Sequence, residues 1–296
     1  MINRVAMGFS IFAASCPIFF CSCHGRQQAQ SDHPRAVVGV NIQDVEFYSV
    51  SLERTMPYRV YMPASRQAGE KFPVVYLLHG GGADYRSWSN ESDVAQYARD
   101  GLLLVMPDGD ESYFMNEVES PRNRYEDYIT RDLIADVEHR FPASKVREGR
   151  AIIGISMGGF AAVDYALSQP KLFVFVAALS PSIDVPFRRF NFRRTGQWWK
   201  FRSIFGPEGS KERSDRNPFE LVRTANPQET PYLYLTAGDT EPLLEPNRQF
   251  VALLQRHGFA HKFHTTHGGH DWGEWNSQIP DCFSTLSRYI SQNPNQ

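Results

Sequence analysis

Cysteine is nearly missing from the body of this chain. Four occur in 296 residues, and Cys16, Cys21 and Cys23 all fall near the start, leaving Cys282 alone. That excludes a disulfide framework in the main part of the chain and any C-x-x-C metal site there. Cys282 lies in "IPDCFSTLSRYI", a C-terminal helix pattern in which a lone thiol is expected to pack as a small hydrophobe. Excess charge is missing too. A net charge of −2 gives no general attraction for polyanions, so no nucleic-acid partner is expected. There are no internal repeats. What is present is 42% hydrophobic residues, enough for one large core.

The chain opens like an export signal. Arg4 is the only charge before His24, and the apolar run "VAMGFSIFAASCPIFFCS" follows it. Residues 1–22 are therefore expected to be a signal peptide and 23–44 a polar tether, with one catalytic-size domain over 45–296. Phe20, Cys21 and Ser22 before Cys23 loosely resemble a lipoprotein processing site, so Cys23 is the one candidate for a membrane (lipid) anchor. The expected location is exported: periplasmic, outer-membrane or secreted.

Beyond the tether, "VEFYSVSL" and "PYRVYMP" read as an antiparallel hairpin. "FPVVYLLHGGG", "LLLVMPDGD", "GRAIIGIS", "LFVFVAALSPS" and "PYLYLTAGD" are short apolar runs closed by turn residues, the pattern of buried parallel strands. Helix-period segments alternate with them, including "NRYEDYITRDLIADVEHRF", "MGGFAAVDYALSQP" and "NRQFVALLQRHG". The fold expected is α/β: a mostly parallel central sheet with helices on both faces and active groups at strand C-terminal ends. Residues 186–227, rich in Arg and aromatics, interrupt the rhythm as an insertion.

Ser156 sits in "GISMGG" between a strand pattern and a helix pattern, the context of a nucleophile elbow. A serine hydroxyl needs a base, and the base needs an acid to fix its tautomer. With chain order Ser, acid, His, the base is His270, in a glycine-containing loop after the strand-like "AHKFHTTH"; His264 and His267 are the competitors. The acid is Asp239 or Glu241, both following a strand, and Asp239 also suits a turn-forming role. Backbone N–H groups for an oxyanion come from Met157 and from the "HGGG" turn at 79–82.

"YLLHGGG", "MPDGDESYF", "RYEDYITRDL", "IIGISMGGFAA", "GDTEPLLEPNRQF" and "GGHDWGEW" together resemble the putative-esterase family of α/β hydrolases, over about residues 45–291. That family includes esterase D (S-formylglutathione hydrolase), feruloyl, tributyrin and acetyl esterases, and mycolyltransferases. The resemblance implies an α/β-hydrolase fold with a cover segment inserted near the active site. It selects Glu241, two positions before Leu243, as the acid, with Asp239 in reserve, although many members carry aspartate there. It also places the second oxyanion donor at Gly81. The implied reaction is hydrolysis of a small-molecule or polysaccharide ester, acetyl or feruloyl, with no metal or organic cofactor. Three alternatives share the site or the surface: a thioesterase like S-formylglutathione hydrolase, an acyltransferase of the mycolyltransferase type, and a non-catalytic carbohydrate-binding domain. Tyr113, Phe187, Phe190, Phe192, Trp198 and Trp199 are the aromatic candidates for substrate contact.

Overall fold

The apolar runs become strands because each has two faces to bury. In the computed structural model, which describes residues 31–188 and 195–290, the hairpin β1 (Val40–Ser49) and β2 (Arg54–Pro63) opens the sheet. In β3 (Val74–Leu78), Val74, Tyr76 and Leu78 face one layer of the core while Val75 and Leu77 face the other. β4 (Leu103–Pro107) and β5 (Arg150–Ile155) divide their side chains in the same way. β6 (Phe175–Leu179), β7 (Tyr232–Gly238) and β8 (His261–Thr266) complete eight strands in the order β1-β2-β4-β3-β5-β6-β7-β8. Pairing is parallel from β4 through β8, and β2 runs against its two neighbours.

Helices cover both faces. α1 (Ser87–Glu91) and α2 (Ala95–Arg99) lie on one. On the other, α3 (Tyr125–Asp127) and α4 (Ile134–Arg140) are joined by a π-helical turn, Tyr128–Leu133, followed in the chain by α5 (Met157–Ser168). The sequence pattern reads the 125–140 stretch as one regular helix; the wider turn brings Tyr128 and Leu133, five residues apart, into the same buried layer. α6 (Thr195–Phe205), α7 (Lys211–Asp215) and α8 (Pro218–Thr224) make up the described part of the insertion between β6 and β7. α9 (Leu244–Arg256) returns to the α5 face, and α10 (Trp272–Leu286) to the α1 face.

Two boundaries differ from expectation. The compact unit starts at Asp32 rather than 45, because the buried Arg59 is held by Asp44 at 2.6 Å and by Asp32 at 2.7 Å. A buried guanidinium needs both carboxylates to offset its desolvation, and that draws half of the expected tether into the domain. α10 begins at Trp272, well ahead of Pro280, because the Asp271 side chain accepts from the Gly273 and Glu274 N–H groups. Trp275, Ile279, Cys282, Phe283 and Leu286 then fill one buried face, so Cys282 does pack as a core residue. The expected signal segment and the Cys23 anchor lie outside the described residues.

One buried acid sets a pH dependence. Asp164, on α5, has no hydrogen-bond partner at one carboxylate oxygen among the described residues; the Ser168 hydroxyl reaches the other at 3.4 Å. Burial, with Glu126 nearby, pushes its carboxyl up to about 8, against the opposing pull of Arg216. A raised folded-state value means stability is full in acid and is lost as pH rises through about 8. Asp164→Asn is therefore expected to flatten the fall in Tm with pH. At about pH 9 it should be the more stable form, by on the order of 2–5 kcal/mol. Thermal unfolding of both proteins across that range checks this; parallel curves would contradict it.

Candidate active site

Ser156 occupies a backbone conformation that L-residues rarely adopt, with φ 52° and ψ −106°. Such a conformation costs about 1–3 kcal/mol and persists only where its surroundings enforce it. Here β5 enters and α5 leaves at so sharp an angle that glycine is required on both sides. A Cβ at Gly154 would stand 2.1 Å from the Gly158 carbonyl oxygen, and one at Gly158 would stand 2.6 Å from the Leu78 Cβ. The Ser156 N–H donates to the Leu179 carbonyl at 2.9 Å, and its own carbonyl accepts from Phe160 and Ser182. The turn thus projects the Ser156 side chain at the C-terminal edge of the sheet.

His270 arrives from the loop after β8. Its Nε2 lies 2.8 Å from Ser156 Oγ, and its Nδ1 lies 2.6 Å from Glu241 Oε2. An ionised carboxylate only accepts, so Nδ1 carries the ring proton and Nε2 is left to accept from the serine hydroxyl. The Glu241 side chain is fully buried, and its other oxygen accepts from the Gly238 N–H at 3.1 Å. Asp239 points away: it accepts from the Gly268 N–H at 3.0 Å and pairs with the exposed His267 at 3.1 Å. The acid left open by spacing is thus Glu241 in the structure, and Asp239 clamps the histidine loop. Those bonds to Gly268 and His267 hold the Asp239 carboxyl below its usual range. His264 remains within β8, next to Gln278.

The HGGG turn is pinned to the elbow. The Gly158 N–H donates to the His79 carbonyl at 3.1 Å, and a Cβ on Gly80 would lie 3.6 Å from that of Ser156. His79 is buried and structural, because its Nε2 accepts from the Gly109 N–H at 2.9 Å. Among the described residues no hydrogen bond engages the N–H of Gly81 or of Met157, the latter at the first position of α5. The Met157 N–H sits at the positive end of α5, suited to a developing oxyanion. No group of three or more His, Cys, Asp or Glu among the described residues could hold a metal ion.

The aromatic candidates divide. Tyr113 is only 8% exposed, edge-on to Phe160, Phe201 and Phe205, so it forms part of the core beneath α6 rather than an open pocket wall. Desolvation there raises its hydroxyl to about 12. Trp198 meets Trp199 edge-on, and Trp199 is exposed. Phe187 is exposed and packs edge-on to Phe219, whereas Phe190 and Phe192 lie outside the described residues. Lys200, on the same helix as the two tryptophans, pairs at 2.6 Å with Glu111, which also accepts from the Gly82 N–H.

Residue spacing alone does not point to three neighbours of the site. Glu111 ties the HGGG turn to the cover helix. Glu274 is buried behind the histidine loop, where burial and then Glu241 hold its carboxyl above the usual range. Ser182 places its Oγ 3.3 Å from Ser156 Oγ. Its position after the C-terminal end of β6, in "LSPS", is the one sequence signal that could have drawn notice.

A strained serine, a tautomer-fixed histidine and a buried carboxylate on an eight-stranded α/β sheet define a serine hydrolase of the α/β-hydrolase fold. Residues 49–286 match the family model described as putative esterase, and the chain belongs to that family. An acetyl esterase of Caldicellulosiruptor saccharolyticus is 25% identical over 264 residues, spanning 83% of this chain and 98% of the relative. Two solved structures share the fold. An S-formylglutathione hydrolase from Agrobacterium tumefaciens has a TM-score of 0.76 at 19% identity, covering 88% of this chain and 99% of its own. A ferulic acid esterase has a TM-score of 0.73 at 22% identity, covering 85% and 99%.

If Glu241 alone orients the base, Glu241→Ala should lower kcat by about 10³–10⁴-fold. Asp239→Ala, which removes an exposed clamp, should cost less than about tenfold. Steady-state kinetics of the two variants on one activated ester decide the matter, and the reverse ranking would exchange their roles.

Proposed function

We propose that the protein is an exported serine esterase that releases small acyl groups, acetyl or feruloyl, from carbohydrate esters. The observation that carries this reading is the unbroken line of contacts from Ser156 through His270 to Glu241. Ser156 Oγ attacks the acyl carbon while its proton passes to His270 Nε2. The N–H groups of Gly81 and Met157 hold the oxyanion, and His270 then protonates the leaving alcohol. Water attacks the acyl-enzyme with His270 as base, and the acid departs as Ser156 recovers its proton.

The acetyl-ester reading draws on the acetyl esterase relative, which aligns over 83% of this chain, and the feruloyl reading on the fold shared with a ferulic acid esterase. Export draws on the leader, with its single early arginine and long apolar run. Among the described residues of the insertion, several cations are already engaged, which favours a neutral ester over an anionic glutathione thioester. Arg188 pairs with Asp184 and Lys200 with Glu111. Arg202 pairs with Glu119, Lys211 with Asp215, and the buried Arg213 donates to three backbone carbonyls. Cations already so engaged offer little to a substrate carboxylate.

The test is a substrate panel of acetyl-xylan, methyl ferulate and S-formylglutathione, with p-nitrophenyl acetate as the reference ester. Turnover of one or both of the first two above the thioester is expected, and a clear preference for the thioester would overturn the substrate assignment. Ser156→Ala should lose about 10³-fold or more on every active substrate, whereas undiminished activity would remove the mechanism.

A further inference from the structure

The Ser156–Ser182 contact has a direction that the rest of the site determines. Ser156 Oγ carries one proton. With Nδ1 of His270 protonated toward Glu241, that proton is directed to His270 Nε2 at 2.8 Å. The 3.3 Å contact between the two serine oxygens therefore leaves Ser182 as the donor and Ser156 as the acceptor. Ser182 is built into this place. It is 6% exposed, its N–H donates to the Ser156 carbonyl at 3.1 Å, and its own carbonyl accepts from Val185. The fully buried Asn247 of α9 donates from its side chain to the carbonyl of the preceding residue, Pro181, at 2.9 Å.

We infer that the Ser182 hydroxyl is a further catalytic group, one that makes Ser156 Oγ a better leaving group and so speeds deacylation. This rests on the reading of Ser156 as nucleophile. At 3.3 Å the resting bond is long for a hydroxyl pair, and it shortens as the acceptor takes on negative charge. In the acyl-enzyme, Oγ is an ester oxygen whose lone pairs are drawn toward the carbonyl, so Ser182 has almost nothing to donate to. When the second tetrahedral intermediate collapses, the C–Oγ bond breaks and its electron pair returns to Oγ. His270 supplies the proton, and the Ser182 O–H donates again while keeping its own. The bond is present at the start and the end of the cycle and lost in the middle. It therefore lowers the free enzyme and the departing serine relative to the acyl-enzyme, which is differential stabilisation of the kind that changes rates.

The kinetic signature is a split between kcat and KM. Ser182→Ala should accumulate acyl-enzyme on p-nitrophenyl acetate, giving a pre-steady-state burst that approaches one equivalent of p-nitrophenol. Steady-state kcat and KM should fall together by about 3–10-fold, leaving kcat/KM within about twofold of the parent. Ser182→Cys keeps the volume with a weak donor and should behave like the alanine variant; Ser182→Thr keeps the hydroxyl and should restore kcat. Stopped-flow kinetics, with intact-protein mass spectrometry of the quenched enzyme, read these effects. A fall in kcat with unchanged KM and no burst would overturn the inference, as would parent-like kinetics in both Ser182→Ala and Ser182→Cys. An active Ser156→Ala would instead remove the underlying reading of the site.

Discussion

Everything at the site depends on one steric fact: α5 starts so close to β5 and to the end of β3 that no side chain fits at residue 154 or 158. The Gly154–Gly158 contact lets the chain reverse within a single residue, and that residue, Ser156, takes up the strain at φ 52°. A strained backbone needs neighbours that forbid relaxation. They are supplied from two other strand ends: the Ser156 N–H bonds to the end of β6, and the Gly158 N–H bonds to the carbonyl that opens the HGGG turn after β3. The same contacts that hold the elbow thus bring the HGGG turn and Ser182 to it. The cost of the strain and the assembly of the site are one arrangement.

The histidine side is built by a second close approach. A Cβ on Gly238 would stand 2.4 Å from the Gly268 carbonyl oxygen, so the loops after β7 and β8 touch backbone to backbone. Asp239 and the Thr240 side chain grip Gly268 from one side of that contact, and Glu241 reaches His270 from within it. Residues two apart in a turn face opposite ways here. One carboxylate is spent in solvent on loop geometry, and the other is spent in the interior on the tautomer of the base.

What the sequence made legible follows from this. The strands could be read because both faces of each are buried, which leaves a nearly unbroken apolar run in one dimension. Ser156 and His270 could be read because strand ends, glycines and chain order all leave marks at the residues themselves. The choice between Asp239 and Glu241 could not be made from spacing, since it turns on which way a turn faces. Nor could Ser182, Glu111 or the early start of the domain at Asp32 be found by periodicity. Each is defined by a partner far along the chain: Ser156 for Ser182, Lys200 for Glu111, and Arg59 for Asp32.

The insertion is rich in Arg and aromatics, and its described residues turn much of that chemistry inward. Phe201 and Phe205 close over Tyr113 and Phe160, fastening the cover to the first turn of the nucleophile helix. Arg213 is buried and donates to three backbone carbonyls, and desolvation pulls its guanidinium below the usual range against the opposing pull of Glu208. Burying an arginine is expensive, and hydrogen bonds to its donors offset part of that desolvation. Here it joins Pro186, Arg188 and Gly206, both flanks of α6. Among the described residues the cover is therefore braced from both flanks of α6, and the Lys200–Glu111 pair ties it to the HGGG turn after β3.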